Sequence, residues 1–372
     1  MMNLPKDLNT FKALSPWWRT EFPTEAVLSS DGVGDLLSLL DERGRRPFFV
    51  IDAALKDQPR FAPIFAQDNL FVFDASFSEP RTGDVDSLRD LIIKSGDEPD
   101  TIVGIGGGAS MDLAKAVGIC LANPKPAQCY QGFGLEMSKG CNIWSVPALN
   151  GTGAEITPIA VLRGPEKKLG INNKFVEPEV AVIDPRLSEN APHFNRFFTM
   201  MDCYFHHSEI IKSKTSAPEA AEDSKEGLEI ARFVLSHNLK DYDLTLAIAS
   251  AIASVLGGSS SISGRVGAAH AISYGLSNCA PHLPHSVAVT ISMSALQEVY
   301  PDAYADVEDY LEINGFDMPK ASDYGITPEF TEKMTKTALG LDKLWQSCFG
   351  DGWREIATKD YIENIYRRIT KE

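Results

Sequence analysis

"DTIVGIGGGASMDLAKAVGICLAN", residues 100–123, decides the fold. An apolar run ending in "TIVGI" reads as a buried strand, and "ASMDLAKAVGICLAN" reads as the helix that follows it. Between them Gly106, Gly107 and Gly108 stand in a row, with no Cβ to keep a ligand away from the backbone. The free N–H groups and positive dipole end of the next helix would then face that ligand, which suits a phosphate. The pattern is neither G-x-G-x-x-G nor a Walker loop, since no Gly-Lys-Ser follows. A tight strand-to-helix turn without a ligand is the competing reading.

Outward from this turn, short apolar bursts alternate with helical stretches. "RPFFVIDAAL" (46–55) ends in Asp52, "DNLFVFDAS" (68–76) ends in Asp74, and "CNIWSVPAL" (141–149) and "AVIDPRL" (181–187) are further strands. "SLRDLIIKSG" (87–96) is an amphipathic helix with a glycine stop. Strands alternating with helices predict a parallel sheet of near-continuous apolar strands. A carboxylate at a strand end, Asp52, suits the hydroxyls of an adenosine ribose and would repel a 2′-phosphate, which favours NAD over NADP. A turn or cap role for Asp52 is equally compatible with its position. After about residue 188 the strand bursts stop, and "KEGLEIARFVLSHNL", "DLTLAIASAIASVLGGSSSISG", "VGAAHAISYGLSN" and "DYIENIYRRITKE" recur at helical spacing. The expected organisation is an α/β dinucleotide-binding domain with a parallel sheet over residues 1–188, then an all-helical domain over residues 189–372.

Composition narrows the partners. The 372 residues carry a formal charge of −16, so nucleic acid and anionic membrane would repel the chain. Six cysteines show no C-x-x-C pair and fit a reducing compartment. The N-terminal "MMNLPKDLNTFKALSPWW" lacks the apolar core of a signal peptide, and no run of 18 apolar residues occurs, so a cytoplasmic protein is expected.

The helical half holds the chemistry. "FFTMMDCYFHHSEIIKS" (197–213) places Asp202 and His206 four apart, on one helical face, with His207 beside them. Either this is a helix edge with a solvated acid and surface imidazoles, or it is part of a metal site. "GAAHAISYGLSNCAPHLPHSVAVTISM" (267–293) adds His270 in a helix of small residues, then His282 and His285 around a Pro-rich turn. Imidazoles with one carboxylate suit Fe²⁺ or Zn²⁺, and such an ion would polarise an alcohol or carbonyl oxygen.

The ordered set GGG-x-x-x-D-x-A-K (106–115), N-G-T-G-A-E (150–155), D-P-x-L (184–187), D-x-x-x-H-x-x-E (202–209) and H…P-H-S-V-A (270–288) resembles the group III, iron-dependent alcohol dehydrogenases. Within that family, "GPEKKLGIN", "FFTMMDCYFHHSE" and "HAISYGLSN" are most similar to the 3-deoxy-D-manno-octulosonate 8-oxidase branch. The resemblance implies a dehydroquinate synthase-like, iron-dependent alcohol dehydrogenase fold. It implies Asp202, His206, His270 and His285 as metal ligands, with His282 as an alternative to His285. It also implies Gly106, Gly107, Gly108, Asp112, Thr152 and Lys168 around the cofactor, with Asp52 near the ribose, and a homodimer. Many relatives carry a proton-relaying histidine four residues after the third ligand. Here that position is Tyr274, whose ordinary pKa near 10 makes it a poor base at neutral pH, so Tyr274 and His282 are the candidate catalytic side chains.

The implied activity is a metal- and NAD-linked oxidation of a primary alcohol to an aldehyde, with the terminal hydroxyl of a sugar acid as the expected substrate. Simple aliphatic or phosphonate alcohols are the alternatives within the class. A sugar phosphate cyclase of the dehydroquinate synthase type would need more cations near the metal ligands than Lys212, Lys214 and Arg265.

Overall fold

A computed structural model describes residues 4–14, 23–75 and 79–371. The chain forms two compact units, one of Met1–Ala191 with Asp243–Ala251, the other of Pro192–Tyr242 with Ile252–Glu372.

Among the described residues, the first unit is built on nine strands: β1 (Glu25–Leu28), β2 (Pro47–Asp52), β3 (Leu70–Phe73), β4 (Thr101–Gly106), β5 (Gly132–Phe133), β6 (Asn142–Pro147), β7 (Ile159–Arg163), β8 (Lys168–Asn172) and β9 (Val180–Ile183). Six form a parallel sheet in the order β1-β9-β6-β4-β2-β3. Central β4, "TIVGIG", is buried at every residue, as a strand covered on both faces must be. The helices of this unit are α1 (Leu8–Lys12), α2 (Gly32–Glu42), α3 (Ala62–Phe65), α4 (Thr82–Ser95) and α5 (Gly108–Cys120). One face of the sheet, through Phe48, Val50 and Ile102, packs on Leu88, Ile92, Leu113 and Val117 of α4 and α5. The other, through Phe49, Ile51, Val103 and Trp144, packs on Val33, Leu36 and Leu40 of α2. Gly96 ends α4 in the left-handed region at φ 78°, the stop that its glycine predicts.

Two features go beyond the strands that the sequence predicts. β1 joins the sheet from a segment with no strong apolar burst, and β7 and β8 form an antiparallel hairpin of a separate three-stranded sheet, order β5-β8-β7. "IAVLR" alternates half-buried and buried positions and "KLGIN" does so only in part, over five residues each, too short a pattern to stand out.

The second unit is helical: α6 (His193–Lys212), α7 (Pro218–Leu235), most of α8 (Leu244–Ser263), α9 (Ala268–Cys279), α10 (His285–Met293), α11 (Pro301–Asn314), α12 (Thr331–Leu339), α13 (Asp342–Phe349), α14 (Trp353–Ile356) and α15 (Lys359–Thr370). The small residues of α9 let its neighbours approach closely. A Cβ on Gly275 would lie 2.0 Å from the Tyr366 hydroxyl, which donates to the Ile272 carbonyl at 2.8 Å. Helix α8 is long and apolar enough to cross a membrane, but 83% of that window is buried inside the protein, the pattern of a core helix.

Candidate functional site

In the first unit, the C-terminal ends of β4 and β2 bring Gly106 and Asp52 together, because these strands are parallel neighbours. Gly106 has φ 145°, a conformation that other residues rarely adopt, and a Cβ there would lie 2.9 Å from the Asp52 Cβ and 3.0 Å from the Ser110 Oγ. Gly107 is the N-cap of α5 and has no side chain with which to cap the helix. A Cβ on Gly108 would lie 3.1 Å from the Thr152 Oγ1. Asp52, Gly106, Gly107, Gly108 and Thr152 therefore surround the positive end of a 13-residue helix, an arrangement suited to a phosphate. Asp52 also accepts the Ala54 amide at 3.0 Å, so its role as a turn cap is met as well. Burial, helped by the charge of Asp74, raises its carboxyl above the usual range despite that hydrogen bond.

The other two residues expected around the cofactor are engaged within the protein. Asp112 accepts the Val161 amide at 3.0 Å and faces the Lys115 ammonium at 3.5 Å. Lys168 is buried on β8 and pairs with Glu79.

In the second unit, α6 and α9 bring Asp202, His206 and His270 together. One ligand atom from each lies within 4.8 Å of the others, with Asp202 and His270 buried and His206 partly exposed. The His206 and His270 rings stack at 4.7 Å, and Asp202 Oδ1 is 3.5 Å from His270 Nε2. His285 opens α10 after Pro284, and its ring lies 5.5 Å from that of His270 and 6.1 Å from that of Tyr274. His282 is exposed in the preceding turn. Of the two histidines that the sequence leaves open, His285 is the one beside the cluster.

Helix α6 separates its paired histidines. His206 faces Asp202, one turn away, while His207 packs into the core between Gly227 of α7 and Gly257 of α8, and its Nε2 lies 3.2 Å from the Ala253 carbonyl. A Cβ on Gly227 would fall 2.1 Å from the His207 ring. Burial pushes the His207 imidazole down to about 3, so it packs as a neutral core residue.

Glu209 completes the cluster. Its Oε2 accepts from His270 Nδ1, and its Oε1 accepts the Ala269 amide at 2.8 Å. The sequence reading assigns it no role, although Asp202, His206 and Glu209 follow at i, i+4 and i+7 on one helical face. Burial disfavours the charged forms of both Asp202 and His270. The three imidazoles nevertheless hold the Asp202 carboxyl well below its usual range. Glu209 and Asp202 likewise outweigh burial at His270 and raise it to about 9.

The cluster fits a divalent cation. Asp202 Oδ1, His206 Nδ1 and His270 Nε2 are buried and have no hydrogen-bond partner, a costly state for polar atoms that a shared cation would relieve. Asp202 and Glu209 are two buried carboxylates, and a divalent cation beside them would supply positive charge without requiring a protonated imidazole.

Residues 23–185 match the family described as iron-containing alcohol dehydrogenase. The chain is 25% identical over 270 residues to choline dehydrogenase of Bacillus subtilis (strain 168), covering 64% of this chain and 67% of that one. It is 25% identical over 259 residues to NAD-dependent methanol dehydrogenase of Bacillus methanolicus, covering 68% of each. Among solved structures, sulfoacetaldehyde reductase from Bifidobacterium kashiwanohense in complex with NAD+ has a TM-score of 0.77 at 21% identity, covering 92% of this chain and 95% of that one. A solved iron-containing alcohol dehydrogenase has a TM-score of 0.73 at 22% identity, covering 94% of this chain and 98% of that one, so the chain has that fold.

Proposed function

We propose that this chain is an alcohol oxidoreductase of the iron-containing alcohol dehydrogenase family and that it oxidises a primary alcohol to an aldehyde with NAD and one divalent metal. The observation that carries this reading is the meeting of Asp202, His206 and His270 ligand atoms within 4.8 Å, with His285 beside them. When bound, the metal supplies a Lewis acid for the substrate oxygen, and the nicotinamide supplies a hydride acceptor.

The chain's own residues do the rest. Asp202 and the imidazoles of His206, His270 and His285 hold the cation, and Glu209 fixes the His270 ring with Nε2 turned toward it. Gly106, Gly107 and Gly108 admit the cofactor's pyrophosphate to the start of α5, with Thr152 alongside. The Asp52 carboxylate accepts from the ribose hydroxyls and repels a 2′-phosphate, which selects NAD over NADP. Tyr274, one turn after His270, positions the substrate by a hydrogen bond from its hydroxyl.

A sugar acid such as 3-deoxy-D-manno-octulosonate, oxidised at its terminal hydroxyl, is the proposed substrate. It is supported by the likeness of "GPEKKLGIN" and "FFTMMDCYFHHSE" to the 8-oxidase branch. The test is NADH formation by Fe²⁺- or Zn²⁺-loaded protein over a panel of 3-deoxy-octulosonate, simple diols and phosphonate alcohols. Highest kcat/KM on the sugar acid supports the substrate. Turnover only of other alcohols overturns the substrate and keeps the activity, and net NADH from none of them overturns both.

A further inference from the structure

Lys115 lies in the first unit with no exposed surface, and the proposed chemistry makes no use of it. A fully buried lysine is rare and costly, so its partners show what it holds. Its ammonium donates to the Ile159 carbonyl at 2.9 Å and the Thr157 hydroxyl at 3.3 Å, and faces Asp112 Oδ1 at 3.5 Å. Asp112, one turn earlier on α5, accepts the Val161 amide through its other oxygen at 3.0 Å. Burial lowers the Lys115 ammonium, while the carboxylates of Asp112, Glu155 and Glu177 oppose that shift. Lys115 and Asp112 together fasten Thr157, Ile159 and Val161 to the body of α5.

What they fasten is the end of one segment. Residues 148–158 leave β6, pass Gly108 at Thr152, and enter β7 at Ile159. The same helix therefore presents the glycine turn at its first residue and grips the far end of the segment about two turns later. Neither Lys115 nor Asp112 lies on the first turn of α5, where an anion would sit, so their effect on a ligand passes through the segment that they hold.

We propose that Lys115 is a positioning residue for the nucleotide, holding segment 148–158 so that Thr152 stays against the N-terminus of α5. The inference rests on the proposed NAD-binding function. Its loss weakens cofactor binding and spares the reaction of bound substrate, because misplacing a supporting segment costs binding geometry first.

The test measures NADH dissociation constants together with KM and kcat for both substrates, on metal-loaded protein. Lys115→Met is expected to raise the NADH dissociation constant and the NAD KM by about tenfold or more, with kcat and metal content within about threefold of the parent. Thr157→Val keeps the ammonium and removes one acceptor, so it is expected to show the same split at about threefold, and it carries the test if Lys115→Met does not fold. Unchanged NADH affinity in the folded variants overturns the inference, as does a fall confined to kcat. Wild-type protein that binds no NADH overturns the NAD-dependent function, and the inference with it.

Discussion

Glu209 holds the imidazole of His270 from behind: Nδ1 donates to one carboxylate oxygen, and the other oxygen accepts the Ala269 amide. This fixes both the tautomer and the orientation of a ring whose Nε2 lies 3.5 Å from Asp202 Oδ1. Carboxylates in this position tune metal-binding histidines elsewhere, and their loss typically weakens metal binding by about 10–100-fold. Glu209→Gln, which can still accept the Ala269 amide, is expected to lower metal affinity by that factor without unfolding. Competition with a chelator measures it, and parental affinity in the variant would remove Glu209 from the site.

His206→Ala is expected to abolish both metal binding and activity. The protein stays folded, because α6 keeps the buried Phe197, Met201 and Phe205 that pack it into the core. Metal analysis and circular dichroism check the two halves separately. Full metal occupancy with parental turnover would show that the ligand set is wrong.

Asp52→Ser is expected to shift cofactor preference toward NADP by removing the charge that repels a 2′-phosphate. The serine hydroxyl can still cap Ala54, so the turn after β2 survives. Asp74→Ser is the comparison, since Asp74 follows the adjacent strand β3. A changed NAD-to-NADP ratio in Asp74→Ser alone would move the role to that residue.

Tyr274→Phe deletes one hydroxyl and keeps the ring, whose centroid lies 6.1 Å from that of His285. If that hydroxyl positions substrate through one buried hydrogen bond worth about 1–3 kcal/mol, kcat/KM falls by about ten- to a hundredfold. The shape of the pH–rate profile is expected to stay the same. A fall of many thousandfold with loss of an alkaline ionisation would make Tyr274 the proton relay instead.

Burial pushes the Asp112 carboxyl up to about 6, against the pull of Lys115 and the Val161 amide. Its unfolded value is near 3.8, so the native state binds more protons between those limits. Its contribution to stability is therefore full below about pH 4 and is lost as pH rises to about 6. Asp112→Asn keeps an oxygen for Val161 and has no such proton to lose. Relative to the variant, the parent is expected to lose stability over that window, as read by urea unfolding at stepped pH. A difference that is flat or rises with pH contradicts the assignment.

Local pattern carried much of this, and tertiary contact carried the rest. The glycine turn and the Asp202–His206 pair are legible because their spacing alone places them at a helix start or on one helix face. The preference for His285 over His282 comes from the P-H-S-V-A resemblance and not from spacing, and in the structure it is Pro284 that starts α10 at His285. The opposite fates of His206 and His207 depend on Gly227 and Gly257, on two other helices. Asp112 matches a motif and invites a cofactor role, but its partners are a strand amide 49 residues later and a lysine one turn along its own helix. Glu209 was within reach of helical periodicity, although its contact with His270 spans 61 residues.

The central claim is that the Asp202, His206, His270 and His285 cluster holds one divalent ion on which alcohol oxidation depends. The direct measurement strips the purified protein with a chelator, then titrates Fe²⁺ or Zn²⁺ while following bound metal and NADH formation together. Activity is expected to disappear with the metal and to return in proportion to occupancy, saturating at one ion per chain. Folded protein that binds no ion, or that oxidises alcohol equally well without one, would contradict the claim.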